Sequence, residues 1–183
     1  ASDVYKRQLQ DVVSDKLYAL LEACKKYQGN YLVLETMNCK PGILEEIVEE
    51  CAMMLVDYGI PIFIENGCQG DDISGYIHSV YSDVSGLKRI ADYCNRLCER
   101  PMVGICYNIG YGNLLAKNIR SQLHQCREYL CMIHANDNGG MKNDRQMPYT
   151  FTKGRGELVT DWYHIIGQLI RICLLYTSDA ADE

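Results

Sequence analysis

Residues able to bind a metal or move a proton stand directly after short apolar runs in this chain. Ile60–Ile64 leads into Glu65-Asn66-Gly67, Met102–Tyr107 into Asn108-Ile109-Gly110-Tyr111, and Leu130–Ile133 into His134-Ala135-Asn136-Asp137-Asn138. A carboxylate, an amide oxygen and an imidazole can share one divalent cation. A carboxylate or an imidazole can also act as a general acid or base. The polar stretch that follows adds Asp144-Arg145-Gln146 and Gly154-Arg155-Gly156. Each group has an ordinary explanation when taken singly. A strand can end in a solvated carboxylate, a strand-end histidine often serves the fold, and loop aspartates and glycines make turns. Together they read as one converging polar site. His78, His124 and His164 lie in helical sequence and are read as surface or packing residues.

The elements that must position these groups alternate along the chain. Val12, Val13, Leu17, Leu20, Leu21 and Cys24 recur at threes and fours and predict a helix over Leu9–Gln28, stopped by Gly29-Asn30. Tyr31–Glu35 reads as a short strand, and Pro41 stands at a helix start. Ile43–Tyr58 predicts a helix with Glu45, Glu46, Glu49 and Glu50 outward, ended by Gly59. Ile60–Asn66 is the next strand. A loop with Gly and Asp leads into helical sequence from about Ser74, best defined over Ser85–Glu99. A strand at Met102–Tyr107, a helix at Asn113–Tyr129 and a strand at Leu130–His134 follow. A polar loop, Ala135–Leu158, precedes a last helix at Val159–Ile172. Short, continuously apolar strands alternating with helices predict an α/β fold with a covered parallel sheet. Chemistry in such folds collects at the carboxyl ends of the strands. No strand opens into a G-x-G-x-x-G turn, which disfavours a dinucleotide-binding sheet.

Composition narrows the function classes. The 183 residues are 48% hydrophobic and 23% charged with net charge -6, which fits about one folded domain and excludes a disordered chain. No apolar run reaches the roughly 18 residues of a transmembrane helix. The acidic balance weighs against nucleic acid as a partner. Ten cysteines are present and none is spaced C-x-x-C. They read as small buried hydrophobes of a cytoplasmic protein, the Cys94/Cys98 pair included, rather than as a zinc or disulfide frame. The two ends, 1–8 and 173–183, match translated sequencing adapter in opposite orientations. The expectation is therefore a native segment over 9–172, part of a longer barrel. Expressed alone, that segment is expected to aggregate or pack loosely and to be inactive.

The strand-end residues resemble those of the xylose isomerase-like TIM barrels, which include sugar and sugar-phosphate isomerases and epimerases and the metal-dependent AP endonucleases. Glu65 falls where that superfamily has a metal-binding glutamate. Asn108–Tyr111 falls on its Asp-x-Gly-His segment, His134–Asp137 on His-x-x-Asp, and Asp144–Gln146 on Asp-x-His. Gly154-Arg155-Gly156-Glu157 with Asp161-Trp162 falls on its Gly-x-Gly loop and next helix. The resemblance covers Tyr31–Ile172 and implies a partial TIM (β/α)8 barrel, about strands four to seven with their helices. It departs at Asn108, Tyr111 and Gln146, where the superfamily has an aspartate and two histidines.

The resemblance implies a metal-assisted sugar or sugar-phosphate isomerase or epimerase. Glu65 would be metal ligand and base, and Asn108 and His134 ligands of Mn²⁺, Mg²⁺, Co²⁺ or Zn²⁺. Tyr111, Asp144, Arg145 and Gln146 would face a small-molecule sugar or sugar phosphate. A non-catalytic sugar-binding barrel that has lost its metal is the alternative, motivated by the three substitutions. An AP endonuclease-like nuclease is disfavoured, because Tyr111 and Gln146 remove two imidazoles from a multinuclear site.

Overall fold

The computed structural model describes residues 2–36, 43–71, 75–77, 79–151 and 159–179. The chain begins with helix α1 (Ser2–Lys26), then strand β1 (Leu32–Glu35), helix α2 (Ile43–Tyr58) and strand β2 (Ile62–Glu65). Leu17, Leu21 and Cys24 are the buried stripe of α1, while Leu20 stays exposed. Gly59, at φ +67°, ends α2 in the left-handed conformation that glycine adopts without steric cost. Glu49 is exposed as expected. Pro41 and the side chains of Glu45, Glu46 and Glu50 lie outside the described residues.

The segment after β2 departs from the predicted helix. It forms an antiparallel pair, β3 (Gln69–Asp71) with β4 (Gly75–Ile77), then a 3-10 turn at Val80–Ser82. Gly75-Tyr76-Ile77 favours extended chain over helix. Ser79 then closes a capping box with Ser82 and starts a separate turn. Helix α3 (Val84–Cys98) follows, with Val84, Leu87, Ile90, Ala91, Cys94 and Cys98 forming one buried stripe. His78 and Ser74 lie outside the described residues.

Strand β5 (Val103–Asn108) is buried along its whole length. The single helix predicted over Asn113–Tyr129 is two helices, α4 (Ile109–Leu114) and α5 (Ile119–Gln125). Caps set both starts, and Asn118 with Ala116 makes the break. Asn108 caps α4 by accepting from the Tyr111 N–H, Asn118 caps α5 by accepting from Ser121, and Ala116 turns the chain at φ +49°. Strand β6 (Leu130–His134) and helix α6 (Trp162–Asp179) complete the order. Asp161 accepts from the His164 N–H at 3.2 Å, so α6 starts three residues later than its apolar pattern suggests.

Strands β1, β2, β5 and β6 form one parallel sheet in that order. Strand order that follows chain order is the wiring of a barrel wall. A doubly wound sheet reverses its order at a switch point. The helices contribute to one core with Ile62, Ile64, Val103, Ile105 and Tyr107 from a single face of the sheet. The architecture is thus α/β and consistent with part of a (β/α)8 barrel. Of the eight cysteines whose side chains are described, none is in a disulfide and seven are buried, Cys94 and Cys98 among them. Among the described residues no helix is long and apolar enough to cross a membrane.

Candidate functional site

Parallel pairing delivers the polar strand ends to one edge of the sheet. Glu65 is in register with Glu35 of β1 and Cys106 of β5, and Asn108 with His134 of β6. Alternate residues of a strand share a face, so Cys106 and Asn108 point the same way. Glu65 Oε1 accepts from Asn108 Nδ2 at 2.7 Å and lies 2.8 Å from His134 Nδ1. Glu65 is 6% exposed, whereas the His134 side chain is 41% exposed. The cluster therefore has a buried carboxylate floor and an accessible imidazole rim. Thr36 Oγ1 donates to the Glu65 carbonyl at 2.6 Å and ties the ends of β1 and β2 together.

Asn108 is held from several sides. Its Oδ1 accepts from the Tyr111 N–H at 3.1 Å and from Asn136 Nδ2 at 3.0 Å. Its backbone N–H donates to Asn66 Oδ1 at 2.5 Å, and its carbonyl accepts from Asn66 Nδ2 at 3.1 Å. A backbone N–H can be met only by an acceptor, so the Tyr111 N–H fixes which end of the amide faces Glu65. The NH₂ group points at the carboxylate. An aspartate here would set two carboxylates against each other and call for a shared proton or a cation between them. The amide removes that requirement and, as placed, turns its oxygen away from the cluster.

A second group stands beside the first. Tyr111 donates its hydroxyl to Glu35 Oε1 at 2.5 Å and accepts from Arg145 Nη2 at 3.1 Å. Burial, with the Glu35 hydrogen bond second, pushes the Tyr111 phenol up to about 12, against the pull of Arg145. Tyr111 thus keeps its proton at neutral pH, and that proton is held on Glu35. Gly110 lets the loop after β6 approach: a Cβ there would sit 1.8 Å from Asn136 Oδ1.

The remaining sequence candidates are placed differently. Among the described residues, no hydrogen bond joins the Asp144 or Gln146 side chain to the Glu65 cluster. Both residues are exposed, and Gln146 Nε2 donates to the Asp144 carbonyl. The Asp137 carboxylate accepts from the Asn138 and Phe151 N–H groups and organises the loop. Gly154, Arg155, Gly156 and Glu157 lie outside the described residues. Sequence reasoning missed Glu35 and Cys106, and it named Asn66 and Asn136 in the strand-end motifs without giving either a role. The signal for Cys106 was its place two residues before Asn108, and for Glu35 its place at a strand end matching Glu65.

The residues present fit a single divalent ion. One carboxylate oxygen of Glu65, the Cys106 thiol and a ring nitrogen of His134 all lie within 4.8 Å of one another. A carboxylate has about four acceptor sites, so the two contacts on Oε1 do not exhaust Glu65.

No family model matches the sequence, and no curated protein sequence matches it. Among solved structures, the chain is similar to the apo form of 3-keto-D-glucoside 4-epimerase, YcjR, from E. coli. The TM-score is 0.59 at 16% identity, over 87% of this chain and 59% of that one. The two share a fold. This chain spans a little over half the length of that epimerase, and at this identity the likeness concerns architecture alone.

Proposed function

We propose that the chain is part of a sugar or sugar-phosphate isomerase or epimerase that moves a proton next to a carbonyl with the help of a divalent metal. In this reading the native segment is 9–172, and its strands correspond to about the fourth to seventh of a (β/α)8 barrel. The observation that carries the proposal is the meeting of Glu65, Asn108 and His134 from three parallel strand ends. The epimerase of similar fold acts, by its name, at C4 of a 3-keto sugar, a carbon beside a carbonyl. That is the chemistry a buried carboxylate can serve.

Glu65 and His134 would hold the metal, which when bound stabilises negative charge developing on the substrate oxygen. Glu65 is also the base, placed where water is largely excluded. Asn108 orients the Glu65 carboxylate through its NH₂ group. Tyr111, whose one proton is held on Glu35, can accept from a sugar hydroxyl through its oxygen, and Arg145 offers a cation to a sugar phosphate. Asp144 and Gln146 sit on the same loop and would meet the far end of the substrate.

The test uses the full-length protein, refilled with metal, against a panel of keto and aldo sugars in deuterated water. Proton NMR should show exchange at the carbon beside the carbonyl, and Glu65→Gln should cut its rate about a hundredfold or more. An unchanged rate would remove Glu65 from the mechanism. The metal-free sugar-binding barrel is the second reading, favoured by the neutral Asn108 whose oxygen is already engaged. Sugar binding that a chelator leaves intact, with no exchange, would select it.

A further inference from the structure

Cys106 lies one step back along β5 from the polar edge. It is fully buried, paired in register with Glu65, and on the same face as Asn108. Burial first, and the Glu65 carboxylate second, push the thiol up to about 12. The His134 backbone N–H pulls the other way from burial and favours the thiolate. The buried thiols of the helix-side core, such as Cys94 and Cys126, belong to a different layer. Among the described residues, Cys106 is the cysteine grouped with a carboxylate and an imidazole.

We propose that Cys106 is a third protein ligand of the divalent ion, bound as thiolate beside Glu65 and His134, and that it makes the site prefer Zn²⁺ or Co²⁺ to Mg²⁺. The proposal rests on the metal-dependent reading above and deepens it. Mg²⁺ takes oxygen ligands, whereas a set of sulfur, nitrogen and oxygen suits the borderline ions. Ligands of a tetrahedral zinc sit about 3.5 Å apart at ordinary bond lengths. The separations here need only a modest inward shift, and His134, at a half-exposed strand end, has room to make it. On binding, the sulfur–metal bond forms, the thiol proton passes to buffer, and no electron is transferred. The His134 N–H then donates to the bound sulfur, a supporting contact of the kind that tunes metal sites.

The full-length protein, stripped and reloaded with Co²⁺, tests this without an activity assay. A thiolate-to-cobalt charge-transfer band should appear in the near ultraviolet. It should persist in Cys131→Ser, the exposed cysteine of β6, and vanish in Cys106→Ser and Cys106→Asp. Should both Cys106 variants fail to fold, X-ray absorption of the unaltered Zn²⁺-loaded protein decides: one sulfur at about 2.3 Å is expected. About one equivalent of bound metal with no sulfur signal would overturn the Cys106 proposal and leave the isomerase reading standing. No retained metal would overturn both.

Discussion

On the helix side of the sheet, Ile62, Ile64, Val103, Ile105 and Tyr107 are nearly inaccessible and merge with stripes from the helices. On the opposite side, the same strands carry Glu35, Glu65, Cys106, Asn108 and His134 toward one edge. The backbone ladder is common to both, so the difference comes from side chains alone. One face is filled by apolar volume, which tolerates no gap. The other is a set of directed hydrogen bonds that specify one arrangement only when all of their members are paired. Apolar packing and the polar hydrogen-bond network thus lie on opposite sides of a single sheet, by alternation along each strand.

That division can be broken most forcefully from the helix side. Ile105→Ala should cost about 2–5 kcal/mol in urea unfolding, because the surrounding core cannot fully close over the lost volume. A loss under about 1 kcal/mol would mean that the apolar face is not the main store of stability. Gly110→Ala comes next. Its Cβ must displace the Asn136 amide, so a cost of about 1–3 kcal/mol is expected, together with weakened sugar binding in calorimetry. Unchanged binding would detach the Asn136 loop from the site. Tyr111→Phe should be milder, about 0.5–1.5 kcal/mol, since it removes the hydroxyl that joins Glu35 to Arg145 while keeping the ring. A larger loss of sugar binding than of stability would place Tyr111 on the chemical side of the division.

The smallest effect is one of pH. Cys106 holds its proton more tightly folded than unfolded, since burial and Glu65 raise its value to about 12. The folded state then binds more protons than the unfolded chain above the ordinary thiol value. Its contribution to stability is complete below that value and falls as pH rises toward about 12. Cys94 and Cys126 are raised in the same direction by burial and add to the decline. Cys106→Ser should flatten the alkaline slope of a urea-midpoint series without abolishing it. An identical slope would show that the metal-free thiol is not as isolated as its surroundings imply.

The strands of the main sheet were legible because each is a continuous apolar run, and the parallel pairing followed from their alternation with helices. The antiparallel pair after β2 was not legible. Its residues are few, and Gly75-Tyr76-Ile77 carries no periodicity that separates strand from helix. The split between α4 and α5 was hidden because Asn108 and Asn118 act as caps only once their side chains find Tyr111 and Ser121. At the polar edge, Glu65, Asn108 and His134 stood out as polar ends of apolar runs. Cys106 did not, because a thiol inside an apolar run reads as filler until register sets it beside Glu65. Glu35 is, in the sequence, only the last residue of a short apolar strand. Its partner Tyr111 is 76 residues away in sequence, and local spacing carries no trace of that contact.

The central claim is that the polar edge is a working metal site rather than a self-satisfied cluster of hydrogen bonds. Metal content of the full-length protein, measured after chelation and refilling with Mn²⁺, Co²⁺ or Zn²⁺, tests it most directly. The account predicts near one equivalent retained, lost in His134→Ala. No retained metal in the unaltered protein would contradict it, and would mean that the Asn108 amide has replaced the ion.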